Sequence, residues 1–240
     1  MHPDTATVPS TDFFTDTDRS TDSDLSTDTD PGEALLRLLE ATPQVARTLD
    51  LVADFDITRR TPRDRLLIPA GLPLHPIAAD GTGGTYYLVG DPREPRRPVL
   101  YADREGCGTL IAEDLAEALA IFIALGFWHE AGHGFPLETT EQNLRESEPD
   151  IDTIRAGLYA ATGIDPLTPE QARDRLLAAA SRTAPDYVAV ADAPGARPYH
   201  LLFGPPRGIA GIAGIAGVAG AGRAVGIPGR EAREVREVRA

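Results

Sequence analysis

Five residues near the middle of the chain, His129-Glu130-Ala131-Gly132-His133, have types and a spacing that could do chemistry. On a helix, side chains four residues apart share a face. Two imidazoles can then hold one Zn²⁺ while the intervening glutamate polarises a metal-bound water. Read this way, His129 and His133 are metal ligands, Glu130 is the catalytic base, zinc is the cofactor and the reaction is a hydrolysis. The flanking Phe127-Trp128 and Gly134-Phe135 are uncharged, which suits such a site. A catalytic zinc also needs a third protein ligand. The extended motif would place Gly and His at the third and sixth positions after His133, and those positions hold Pro136 and Thr139. Glu138, Glu141, Glu146 and Glu148 supply carboxylates nearby, but in no recognisable second motif. Gly132, Gly134 and Pro136 also set His133 at or beyond the helix end, where a shared face is no longer guaranteed. The competing reading is a core helix that closes in an exposed, polar, aromatic-anchored turn, with no catalytic residue, metal or cofactor. We take that reading as the primary one and the zinc-dependent hydrolase as the alternative.

Other candidate sites carry less. The loop Asp80-Gly81-Thr82-Gly83-Gly84 could cradle a phosphate through its backbone N–H groups, but it lacks the Lys-Ser/Thr pair of a P-loop. Gly220-Ala221-Gly222 with Gly226 has dinucleotide-like spacing, yet no strand precedes it and too few residues follow for a βαβ unit. Cys107 is the only cysteine, which excludes an intramolecular disulfide and a Cys-rich metal site. Nothing around it activates the thiol. His75 and His200 fall in or beside expected strands. Tyr86, Tyr87, Tyr101 and Trp128 are of types that usually fill a core. Where exposed, they are the partner-binding candidates.

The elements that must position these residues form one stretch, 32–204, between two low-complexity tails. Residues 1–31 hold eight Asp, eight Thr and one Arg and too few apolar side chains to offset the entropy of ordering, so they are expected to be a disordered acidic tail. Residues 205–240 are a Gly/Ala/Ile repeat with a short charged end. Asp30-Pro31 and Thr42-Pro43 each give a cap-then-proline helix start, followed by apolar residues at helical spacing. Leu74–Ala79 and Thr85–Val89 flank the Asp80–Gly84 loop as a hairpin, and Val99-Leu100-Tyr101 and Thr109-Leu110-Ile111 extend it to a meander. The longest helix starts near Glu113 and is apolar over much of its surface. Helices follow over 150–161 and from Thr168, which opens a full capping box. Tyr187–Ala191 and Tyr199–Phe203 are expected as closing strands. The fold class is α+β, a short antiparallel meander packed against helices.

The order of Asp80-Gly81-Thr82-Gly83-Gly84 running into Tyr86-Tyr87-Leu88, then Pro98-Val99-Leu100-Tyr101, Leu110-Ile111-Ala112 and a helix with Asp114, Leu115, Ala118 and Leu119 resembles the SUKH superfamily. That superfamily includes bacterial toxin-immunity proteins and fungal cell-wall-assembly regulators. In the actinobacterial members it resembles, the helix closes with an aromatic, a Trp, a His or Arg and an acid. Phe127-Trp128-His129-Glu130 fits that ending. The resemblance covers about a third of the chain. It implies a non-enzymatic domain that binds a protein partner such as a toxin, with no binding residue carried over.

The net charge of −14 argues against nucleic-acid or anionic-membrane partners, which need clustered positive charge. Half of it, −7, comes from the eight Asp against Arg19 in residues 1–31. Met1-His2-Pro3-Asp4 does not open a secretory signal, and no apolar run is long enough to span a membrane, so the expected compartment is the cytoplasm.

Overall fold

The computed structural model describes residues 31–203. The expectations for the acidic tail, the Gly/Ala/Ile repeat, the Gly220–Gly226 pattern and the Asp30 cap lie outside the described residues. The described residues form a mixed fold of seven helices and two small sheets.

Helices α1 (Pro31–Ala41) and α2 (Pro43–Ala53) both open on a proline, which fits a first turn whose N–H would be unpaired in any case. Leu36 and Leu39 of α1, and Ala46, Leu49 and Val52 of α2, are buried at three- and four-residue spacing. Thr42 does not cap α2. Its hydroxyl donates back to the Leu38 carbonyl of α1 and locks the short link. At the other end of α2, Asp54 adopts a left-handed φ of 53°, and its Oδ1 accepts from the Gly81 N–H at 2.8 Å. This bond ties the helix pair to the first hairpin.

The strands are β1 (Leu66–Leu67), β2 (Leu74–Ala79), β3 (Thr85–Val89), β4 (Val99–Ala102), β5 (Cys107–Ala112), β6 (Val190–Ala191) and β7 (His200–Leu201). The larger sheet runs β2-β3-β4-β5-β7. Its first four strands are the expected antiparallel meander, and β7 joins β5 in parallel. Pro76 is placed where a strand tolerates it, on an edge and beside a bulge. The two expected closing strands shrink to two residues each, and β6 leaves the meander to pair with β1. The intervening Asp-Ala-Pro-Gly-Ala-Arg-Pro run is turn chemistry that leaves no length for a longer ladder.

Both faces of the sheet are covered. Ile77, Tyr86, Leu88, Val99, Tyr101 and Ile111 point into the main core with α1, α2 and α3, while Tyr87, Val89, Leu100 and Leu110 point to a second core with Leu66 and Ile68. Helix α3 (Leu115–Leu125) is capped by the Asp114 side chain, which accepts from the Glu117 N–H at 2.9 Å. It is buried on nearly every side, as a central helix must be. It ends at Gly126, where a Cβ would come within 2.9 Å of the Leu144 side chain. A one-turn helix, α4 (Trp128–Gly132), follows as a separate element. Helix α5 (Leu137–Ser147) is not announced by the apolar pattern, since only Thr140 and Leu144 are buried in it. Helices α6 (Ile151–Thr162) and α7 (Pro169–Ser181) match expectation, the second with both bonds of the Thr168–Gln171 capping box. Arg155 of α6 donates to the Ile123 and Ala124 carbonyls and pairs with Glu141 at 2.6 Å, joining α3, α5 and α6. Among the described residues no helix is long and apolar enough to cross a membrane.

Candidate functional site

The zinc-like motif falls on α4 and its end. Because α3 stops at Gly126, the motif begins a fresh helix of five residues, and His133 is already its C-terminal cap. The two imidazoles stand against different partners. The His129 ring lies 3.6 Å from Trp128 and 5.1 Å from Tyr101, centroid to centroid. His133 is exposed and faces Phe203 at 5.1 Å. Burial holds the His129 pKa down at about 4, against the opposing pull of Asp80. Glu141, one of the candidate third ligands, is spent on Arg155 and Arg145. Among the described residues no group of three or more His, Cys, Asp or Glu side chains is placed to hold a metal ion. The described residues therefore bring no third ligand to the two imidazoles. Gly132 has a packing reason, because a Cβ there would lie 2.2 Å from the Phe203 ring.

The four aromatic candidates are core. Tyr86, Tyr87, Tyr101 and Trp128 are 0 to 3% exposed, so the expectation that they could anchor a partner is corrected. The reason is that the sheet is covered on both sides, which leaves the aromatic strand no free face. Tyr86, Tyr101, Phe122 and Trp128 form one cluster with Phe55, at centroid distances and tilts that suit aromatic pairs.

The Asp80 loop is also inward-facing. Asp80 Oδ1 accepts from the N–H groups of Thr82, Gly83 and Gly84 and from the Thr82 hydroxyl, all at 2.7 to 2.8 Å. Its Oδ2 accepts from the Tyr101 hydroxyl at 2.5 Å. Burial alone would raise the Asp80 pKa, but these bonds outweigh it and hold the carboxyl below its ordinary value. Burial and the same bond to Asp80 raise the Tyr101 pKa. Gly84 is required for this contact, since a Cβ would fall 2.2 Å from the Tyr101 hydroxyl. With the N–H groups of Thr82, Gly83 and Gly84 turned to Asp80 and that of Gly81 to Asp54, the loop has none left for a phosphate.

What the sequence reading missed lies beside that loop. A cleft of about 440 Å³ is lined by Thr58, Arg59, Arg60, Thr61, Arg63, Ala79, Gly83, Thr85 and Arg104, four guanidiniums and no carboxylate. Three of the arginines come from the loop between α2 and β1, and Arg104 comes from the β4–β5 turn. Arg59 donates to the Asp80 carbonyl at 2.6 Å, and Arg60 pairs with Glu40 at 2.7 Å. Arg63 and Arg104 are exposed and make no hydrogen bond or ion pair among the described residues. Arg104 lies across Gly83, whose φ is +95° and where a Cβ would meet the Arg104 Cδ at 2.4 Å. The available signal was Arg-Arg-Thr-Pro-Arg-Asp-Arg at 59–65, a basic run in an acidic chain.

Comparison with protein-family models, curated proteins and solved structures finds no match to this chain.

Proposed function

We propose that the chain is a non-enzymatic protein-binding domain of the toxin-immunity type, working in the cytoplasm. The observation that carries this reading is the fate of the motif residues. Trp128 and His129 follow the central helix on a turn of their own and pack on Tyr101. This gives the aromatic-Trp-His-acid stretch of the SUKH resemblance a place that needs no catalysis. The order of an antiparallel meander followed by one buried helix supports the same reading. An immunity protein acts by occupying its target, so its polar interior has only to be rigid. Asp80 and its donors suit that requirement.

Affinity purification with toxin-like gene neighbours is the test. One of them should be retained at micromolar concentration and should lose its toxicity when bound. Recovery of none would overturn the proposal. Stoichiometric zinc in the purified protein, lost in His129→Ala, would replace it with the hydrolase reading.

A further inference from the structure

We infer that the arginine cleft beside the first hairpin binds the carboxylates of an acidic segment on the protein partner. This rests on the protein-binding reading above and names the chemistry of the contact. A guanidinium presents a planar fork of donors that matches a carboxylate with two parallel hydrogen bonds. Arg63 and Arg104 bring two such forks to one cleft, both exposed and neither with an ion-pair partner among the described residues. Arg59 is anchored by the Asp80 carbonyl and Arg60 by Glu40, so the cleft wall is fixed while its two remaining cations stay exposed. Thr61 adds a hydroxyl, while that of Thr58 donates to Asp56 at 2.6 Å.

Carboxylates are favoured over phosphate by what the cleft lacks. Phosphate sites commonly recruit convergent backbone N–H groups, and those of Thr82, Gly83 and Gly84 are all turned to Asp80. Only side-chain donors on separate loops remain, which suits acids spaced along a peptide. The groove continues past Gly83 and Thr85 to Leu66, Tyr87 and Tyr199, and this stretch, which Arg63 and Arg104 also line, holds Asp64 and Asp103. The partner's acids therefore belong on the Arg59 and Arg60 side of Arg63 and Arg104, where no carboxylate lines the wall.

The test uses a fluorescently labelled hexaglutamate peptide and the full chain. A protein of net charge −14 repels such a peptide in bulk, so binding reports the cleft. The peptide should bind, weaken as salt is raised, and lose roughly tenfold or more in affinity in Arg63→Ser/Arg104→Ser. The double variant Arg37→Ser/Arg47→Ser changes net charge equally on α1 and α2 and should bind as the parent does. Equal loss in both variants would overturn the inference, since only overall charge would then matter. Displacement by pyrophosphate at lower concentration than by free glutamate peptide would overturn it in favour of a phosphate site. Binding seen only after the eight aspartates of residues 1–31 are changed to Asn would assign the cleft to the chain's own acidic segment. A toxin retained equally well by Arg63→Ser/Arg104→Ser would remove the cleft from the contact and leave the protein-binding proposal standing.

Discussion

The Asp80 turn and the arginine cleft share a border at Gly83, yet they treat polar groups in opposite ways. In the turn, one buried carboxylate collects four donors from residues 82–84 and a fifth from Tyr101, so donors and acceptor cancel inside the protein. In the cleft, the exposed Arg63 and Arg104 side chains have nothing to receive their bonds among the described residues, Arg104 lying across Gly83. A polar group satisfied within the fold contributes to stability, and its removal leaves orphans. A polar group facing solvent contributes little to stability and is free for a partner. The Asp-Gly-Thr-Gly-Gly sequence looks more like a ligand site than the arginine run does, and the geometry assigns the opposite roles.

The strongest way to break this contrast is Asp80→Ala. It should cost about 2–4 kcal/mol, because the buried Gly84 N–H and Tyr101 hydroxyl lose their acceptor together with the partly buried donors of Thr82 and Gly83. Urea unfolding measures it directly, and a cost below about 1 kcal/mol would mean that the turn is not a structural hub. Asp80→Asn keeps one acceptor oxygen and should cost less. The hub also sets a pH window. The Asp80 pKa is depressed in the fold, so its contribution is present above the unfolded carboxylate value and is lost as pH falls through the folded one.

His129 extends the closed side, since its ring packs on the tyrosine that donates to Asp80. Its folded pKa is about 4, below the ordinary 6.5. The unfolded chain therefore takes up a proton below pH 6.5 that the folded chain refuses until near pH 4. Stability should be level above that window and fall across it by about 3 kcal/mol at most. In His129→Gln the decline between those two pH values should disappear from urea midpoints. An unchanged decline would place its cause in another group.

The meander and the closing helices were legible because their signals are local. Proline after a cap, glycine in a hairpin and a capping box each act within a few residues, and Leu74–Ala79 and Thr85–Val89 appear with their expected ends. Helix α5 was not legible, because its hold on the core comes through Leu144 and through Glu141 reaching Arg155 on another helix. The place of the motif at 129–133 was legible in part. Gly132, Gly134 and Pro136 set His133 at the helix end, where it is the C-terminal cap of α4. But the partners of the two rings, Tyr101 and Phe203, come from distant parts of the chain. Burial of Tyr86, Tyr101 and Trp128 depends on the helices packed over one face of the sheet, and that of Tyr87 on a second layer over the other face, to which β1 contributes Leu66. The arginine cleft likewise needs Arg104 brought across to Arg59 and Arg63 by the β4–β5 turn.

Gly132→Ala probes whether the motif turn belongs to the closed side as well. The added Cβ would sit 2.2 Å from the Phe203 ring, so that ring must leave α4. We expect a loss of about 1–3 kcal/mol, the usual cost of overpacking, with greater exposure of Trp128 visible in its fluorescence. Pairing it with Phe203→Ala should recover part of the loss, since the clash has been removed; simple additivity would contradict the packing account.

The smallest expected effect sharpens the contrast most. Arg63→Ser and Arg104→Ser remove exposed cations with no ion-pair partner among the described residues, so each should shift stability by no more than about 0.5 kcal/mol. Arg104 is the more demanding case, since its aliphatic stem covers Gly83 and some packing goes with the charge. A cost above about 1 kcal/mol for Arg63→Ser would make that arginine part of the scaffold and weaken the case for a free binding face. Removing two cations from an acidic chain also adds to its self-repulsion, and that part should vanish at high salt. The informative result is therefore a pair of urea curves for Arg63→Ser, at low and high salt, that both superpose on the parent's. A cation could then be taken from the cleft without the fold registering it, whereas one carboxylate at the adjoining turn could not be removed without a large loss of stability.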